Sequence, residues 1–241
     1  MITFDFETKS YADLMKVGAW AYSLDPTTDV ICACWGQGYN EIQEWWPGKY
    51  DTDEMPHDLA HMILREKRTV EAHNVSFERA IWANVMVPKY GWVLPDDEQW
   101  SDTMAVACYY AMPAGLDKLL NALGYEGKDP DGGRLITKYS KLHLKTAKTE
   151  IPDEDFNKFV DYCVHDVKGE QSASDHLGGL PDRELPVFAL DQKINLRGLH
   201  LDIEGIKAAI KVVEERSLTL TQEFRDLTGL NPAQIDKVKD W

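Results

Sequence analysis

No stretch of the 241 residues approaches the ~18–20 consecutive apolar positions that a bilayer-spanning helix requires. Nor does the amino terminus carry the basic-then-apolar pattern of a secretory signal, because Asp5 and Glu7 interrupt it. These two absences point to a cytoplasmic protein with no membrane partner. Cysteine is scarce: Cys32, Cys34, Cys108 and Cys163 lie in apolar stretches, and Cys32-Ala33-Cys34 is too tight for half of a zinc site. No second Cys/His pair is spaced to complete one, so the four read as buried, reduced thiols. Positive charge is also short. Twenty-six Lys and Arg against 41 Asp and Glu leave a formal charge of −15, which argues against a broad electrostatic grip on polyanions. Two arrangements reverse that inference. Carboxylates can gather around cations that meet a phosphate, or the grip can lie on a part of the molecule outside this chain.

What is present suits one full α/β domain and part of a second. In Ile2-Thr3-Phe4-Asp5-Phe6-Glu7-Thr8, apolar and acidic residues alternate with the period of a strand that has two unlike faces. Asp5 and Glu7 therefore stand side by side, with Phe4 and Phe6 on the opposite face. Two adjacent carboxylates repel unless a positive charge lies between them, and their oxygens suit Mg²⁺ or Mn²⁺. The plain alternative is an edge strand with an acidic outer face.

Further strands are predicted at Val30–Trp35, Glu41–Trp46 and Thr69–Asn74, with a short one at about Trp100. Helices are expected near Pro56–Arg65, at Phe77–Met86 with Pro88 and Gly91 ending it, over Leu116–Leu123 up to Gly124, and from Asp153 to 177. The stretch with Gly18 reads as polar connection, Asp96-Asp97-Glu98 as a solvated loop, and residues 126–152 as the least ordered segment. Gly178-Gly179-Leu180-Pro181 is the clearest break; beyond it the pattern is helical, with a long helix from Asp202 to Leu227 closed by Gly229. The pattern has no internal repeat and predicts a mixed sheet with helices around it.

Two more pieces bear on the acidic strand. Tyr162 and Asp166, four apart in the 153–177 helix, share one face, so a phenol and a carboxylate can approach the strand together. Alone, they are an ordinary polar helix face. Glu78 falls in the first turn of a helix that follows His73-Asn74, where an acid is favoured by the helix dipole whatever else it does, and Asn74 is suited to a turn or cap.

In combination these pieces resemble a known family. Asp5-x-Glu7, Asn74 through Phe77-Glu78, and Tyr162-x-x-x-Asp166 occur in the order of the three motifs of DEDD-type 3′–5′ exonucleases. The tyrosine four before the last aspartate resembles the tyrosine subgroup; the histidine subgroup would have His where Asp161 stands. Ser101-Asp102-Thr103-Met104 is similar to a stretch of the proofreading domain of phage-type family A DNA polymerases. Leu190 through Asp202 and Thr228-Gly229-Leu230-Asn231-Pro232 resemble the approach to the polymerase region of those enzymes. One departure is Glu78, where the family usually has Asp.

The resemblance implies a ribonuclease H-like, mixed five-stranded sheet flanked by helices over residues 1–177. A helical beginning of a polymerase region follows over 178–241, and the polymerase motifs themselves are absent. It implies two Mg²⁺ or Mn²⁺ ions: Asp5 bridging both, Glu7 and Asp166 on the first, Glu78 supporting the second, and Tyr162 orienting the attacking water. The implied activity is hydrolysis of DNA from a single-stranded 3′ end to nucleoside monophosphates. Thr8, Asn74 and Phe77 are the candidates for holding the terminal nucleotide, and Lys138, Lys141 and Lys145 for guiding the backbone, although a solvated loop explains the lysines equally well. The tryptophans read as core and interface, with Trp45-Trp46 a candidate face toward a polymerase domain. The alternatives are a stand-alone exoribonuclease of the same fold and a catalytically degenerate single-strand-binding module.

Overall fold

The computed structural model describes residues 1–38, 40–127 and 132–241. Asp129, Pro130 and Asp131, part of the turn-rich stretch noted in the sequence, lie outside the described residues. The strands are β1 (Ile2–Lys9), β2 (Asp29–Gly36), β3 (Gln43–Trp45), β4 (Val70–Ala72) and β5 (Trp100–Asp102). The helices are α1 (Leu14–Leu24), α2 (His57–Leu64), α3 (Val75–Ile81), α4 (Val87–Tyr90), α5 (Thr103–Tyr109), α6 (Leu116–Leu123), α7 (Gly132–Leu135), α8 (Asp153–Leu177), α9 (Leu185–Arg197), α10 (Ile203–Thr228) and α11 (Ile235–Asp240).

The acidic strand is central, not an edge: the sheet order is β3-β2-β1-β4-β5. β1 runs antiparallel to β2 and parallel to β4, β2 is antiparallel to β3, and β4 is parallel to β5. This mixed five-stranded sheet between helices is the ribonuclease H-like arrangement that the motif order implied.

Alternation along β1 divides the interior in two. Ile2, Phe4 and Phe6 point into an aromatic layer, with Phe4 and Trp82 centroids 4.8 Å apart, Trp82–Trp92 at 5.3 Å and Trp45–Trp92 at 5.1 Å. The opposite face of β2 carries Cys32 and Cys34, which α8 covers with Val160, Cys163 and Val167. Trp45 is thus fully buried in the core and presents no face to a partner. Trp46 is half-buried, edge-on to Phe156 and with the Lys49 ammonium 4.1 Å over its ring. Cys108 is exposed, in contrast to the other three thiols.

Three local departures from the expected elements have physical causes. The stretch read as polar connection is helix α1: Asp13 caps it by accepting the Met15 N–H, and the chain passes Gly18 at φ 77°, ψ 165°, a conformation closed to residues with a side chain. Pro88 does not end the third helix. The turn Trp82–Met86 is widened to a π turn just before it, where a residue without an N–H is cheapest to insert, and the helix ends at left-handed Gly91. Asp96 opens a short 3₁₀ turn, Asp97–Gln99, with a reciprocal capping box to Gln99.

The chain divides into two compact units, Met1–Gln192 and Lys193–Trp241. In the second, Asp202 caps α10 through the Gly205 N–H at 2.9 Å and left-handed Gly229 closes it, as the sequence pattern anticipates. None of its residues is buried, and Ile206, Ile210 and Val213 line one exposed apolar stripe of α10. Among the described residues no helix is long and apolar enough to cross a membrane.

Candidate active site

β1 and α8 meet on the acidic face. Carboxylate oxygens of Asp5, Glu7 and Asp166 all lie within 4.8 Å of one another, with Glu7 and Asp166 buried and Asp5 partly so. The pleat sets Asp5 and Glu7 on one side of the strand. The covering helix is directed there by the apolar contacts that flank Asp166, Cys163 one turn before it and Val167 one residue after. The Cys163 thiol lies 3.3 Å from Asp5 Oδ2, and burial beside Cys32 and Cys34 pushes it well above the usual thiol range, so it stays protonated and adds no further anion. Three converging carboxylates make a hard, all-oxygen donor set. That set fits a divalent cation such as Mg²⁺.

Tyr162 lies one turn before Asp166 on α8 and is buried. Its ring rests on Gly132: a Cβ built there would sit 2.0 Å from Tyr162 Cε2 and 2.6 Å from Cζ. No side chain fits between them. Gly132→Ala is therefore expected to displace the phenol, lowering the maximal rate of any reaction that the carboxylate cluster supports about tenfold or more while leaving substrate affinity within a factor of about two. Steady-state kinetics of the two proteins check this.

Glu78 is buried in α3 but is not a member of the three-carboxylate cluster. Its helix is launched from Asn74, held left-handed at φ 71°. Asp102 fixes that turn by accepting the Asn74 N–H at 2.9 Å and the Met104 N–H at 2.8 Å; burial raises its pKa, against the lowering effect of those bonds. The Ser101-Asp102-Thr103-Met104 stretch thus has a positioning task that the motif alone did not disclose. His73 spans the same junction, to Thr103 Oγ1 at 2.9 Å and the Ala114 carbonyl at 2.7 Å. His165 bonds the Gly127 carbonyl at 3.0 Å and plays no part in the cluster.

A cavity of about 310 Å³ opens beside Glu7, lined also by Thr8, Tyr22, Phe77, Lys141 and His143 among others. Its far wall is tied to β1 by main-chain bonds, Ser10 N–H to Ser140 O at 3.0 Å and Leu142 N–H to Ser10 O at 2.9 Å. Four residues singled out in the sequence, Glu7, Thr8, Phe77 and Lys141, meet here. Asn74 and Lys145 are exposed and outside it, and Lys138 pairs with Asp155 at 2.6 Å. Sequence reasoning missed Tyr22 and Gly132. Neither belongs to a motif, and both are recognisable only by what they touch.

A ribonuclease H-like sheet whose central strand converges with a helix on three carboxylates is consistent with a DEDD-type 3′–5′ exonuclease domain. Over its full length the chain is 28% identical, across 255 aligned positions, to the DNA polymerase of Bacillus phage SP02, and it spans 38% of that protein. Among solved structures it is similar to Brucella melitensis NrnC with bound Mg²⁺ (12% identity, 83% of this chain and 89% of that one, TM-score 0.44). It is also similar to Escherichia coli RNase D, described as an exoribonuclease involved in structured RNA processing (15% identity, 79% and 42% of the two chains, TM-score 0.42). No protein-family model matches the sequence.

Proposed function

We propose that this chain is the proofreading part of a phage-type family A DNA polymerase, a metal-dependent 3′–5′ exonuclease that shortens single-stranded DNA ends. The observation that carries the reading is the convergence of Asp5, Glu7 and Asp166 within 4.8 Å, in a chain similar over its whole length to a phage DNA polymerase. Residues 1–177 form the exonuclease domain in this reading, and 178–241 begin the polymerase region. The exposed apolar stripe of α10 is the surface that meets the rest of such a polymerase.

Two Mg²⁺ or Mn²⁺ ions would be held here by Asp5, Glu7 and Asp166, with Glu78 supporting from α3. When bound, divalent ions supply Lewis acidity and charge neutralisation for the scissile phosphate. The chain's own residues do the remaining work. The Tyr162 phenol, locked between α8 and Gly132, offers a hydrogen bond to orient the attacking water. Thr8 and Phe77 shape the cavity that receives the terminal nucleotide, and Lys141 contributes positive charge at its wall. Burial of Glu7 and Asp166 keeps bulk water from competing for their oxygens.

The test is degradation of a 5′-labelled, 3′-mismatched single-stranded DNA in Mg²⁺ or Mn²⁺, with EDTA and RNA arms. A ladder that shortens from the 3′ end, stops in EDTA and runs faster on DNA than on RNA is the expected result. Intact DNA in both metals with binding retained overturns the reading in favour of a degenerate single-strand binder, and faster cleavage of RNA in favour of an exoribonuclease. A readout independent of turnover is thermal stability. Saturation at 100-fold over the dissociation constant should add about 2.7 kcal/mol on addition of Mg²⁺, reversed by EDTA.

A further inference from the structure

Behind the cavity lies a hydroxyl network that none of the three motifs contains. β1 enters the cavity with Thr8, and Tyr22 reaches it from α1; both are buried, and Thr8 Oγ1 and Tyr22 Oη share a hydrogen bond of 3.0 Å. The pairing register slips between Glu7 and Thr8, which stand opposite Cys32 and Val30, so β2 bulges at Ile31 just where the carboxylate gives way to the hydroxyl. Such bulges re-aim a side chain next to a site.

Tyr22 is itself held firmly. The Thr28 hydroxyl lies 2.6 Å from the Tyr22 carbonyl oxygen and 2.7 Å from Ser10 Oγ, which fastens the end of α1 to the continuation of β1. Its ring stands 6.0 Å from that of Phe77. Burial raises the phenol's pKa and the charge of Glu7 adds to that, against the lowering effect of the bond to Thr8, so the phenol keeps its proton. Either hydroxyl can donate in this bond; with Tyr22 as the donor, the threonine's own hydrogen is left to face the cavity.

We propose that Tyr22 is a positioning residue for substrate. It orients the Thr8 hydroxyl so that its hydrogen meets an oxygen acceptor, phosphate or sugar, on the 3′-terminal nucleotide seated beside Glu7. The inference rests on the exonuclease reading of this site. Its hydroxyl acts through Thr8, so its effect is expected on affinity and not on the chemical step.

The experiment compares wild type, Tyr22→Phe, Thr8→Val and the double variant by the dissociation constant for a fluorescein-labelled oligothymidylate with Ca²⁺ in place of Mg²⁺. KM and kcat are then measured in Mg²⁺. Loss of one neutral hydrogen bond predicts affinity weakened about three- to tenfold in Tyr22→Phe, with kcat within about twofold of wild type. The double variant should be no weaker than Thr8→Val alone, because both changes remove one shared device. Unchanged affinity in Tyr22→Phe overturns the proposal, as do losses that multiply in the double variant, or a fall in melting temperature and kcat with affinity intact. Should Tyr22→Phe not fold, Thr8→Ser decides. It should bind like wild type where Thr8→Val does not, and equal affinities of the two overturn the proposal. A wild type that binds DNA but never shortens it overturns the exonuclease reading while the affinity comparison still decides on Tyr22. A wild type that binds no single strand overturns both.

Discussion

Under the proposed exonuclease function, Asp5→Ala is expected to slow metal-dependent degradation of single-stranded DNA by about three orders of magnitude or more. Asp5, Glu7 and Asp166 each offer an oxygen within 4.8 Å of the other two. Removing Asp5 takes a ligand from any cation held there. Bound metal supplies several kcal/mol of charge stabilisation to phosphate chemistry, and ~4 kcal/mol corresponds to about 10³ in rate. The variant should not be unfolded. Without metal, three carboxylates at this distance repel, so relieving one of them should leave the melting temperature in EDTA equal to or above that of wild type. The rise on adding Mg²⁺ should largely vanish. Quench-flow or gel kinetics beside paired melts with and without Mg²⁺ measure both parts. A variant that retains a tenth of the wild-type rate would remove Asp5 from the cation site.

Trp82→Ala addresses the other face of the same strand and should lose about 3–5 kcal/mol. The indole is fully buried, with Phe4, Phe6, Trp92 and Trp100 ring centroids at 4.8 to 5.8 Å. Its Nε1–H donates to the Val93 carbonyl at 2.9 Å, and truncation would leave that acceptor without this donor. Set against a typical domain stability of about 5–15 kcal/mol, such a loss consumes a large share. Urea unfolding followed by tryptophan-independent circular dichroism should show a lower midpoint with a nearly unchanged slope, and Trp82→Phe should fall between the two. A loss under about 1 kcal/mol would contradict the packing described. Trp82 opens the π turn directly after α3, so the aromatic layer also holds the helix that carries Glu78.

Much of the architecture was legible because it is encoded at short range. The two-residue period of Ile2 to Thr8 predicted a strand with phenylalanines on one side and carboxylates on the other, and β1 is that strand. The four-residue spacing of Tyr162 and Asp166 predicted a shared helix face. Gly124 and Gly229 marked helix ends that are indeed left-handed. Where a local signal was ambiguous the reading failed. Gly18 made α1 look like connection, although Asp13 supplied its cap. Pro88 was read as a stop because a π turn, which depends on packing around Trp82 and Met86, is invisible in propensities.

The sequence by itself therefore determined most of the elements, their faces and the identity of the acidic residues, since periods of 2 and 3.6 are properties of neighbouring positions. Only the tertiary structure decided which faces meet. Asp166 joins Asp5 and Glu7 because α8 packs Val160, Cys163 and Val167 against Cys32 and Cys34 of β2, a contact between residues more than a hundred positions apart. The seating of Tyr162 on Gly132, the hold of Asp102 on the Asn74 turn and the bond between Tyr22 and Thr8 arise in the same way. Each joins residues well separated along the chain, and what selects it is close packing and the need of buried polar groups for partners, neither of which has a period to read.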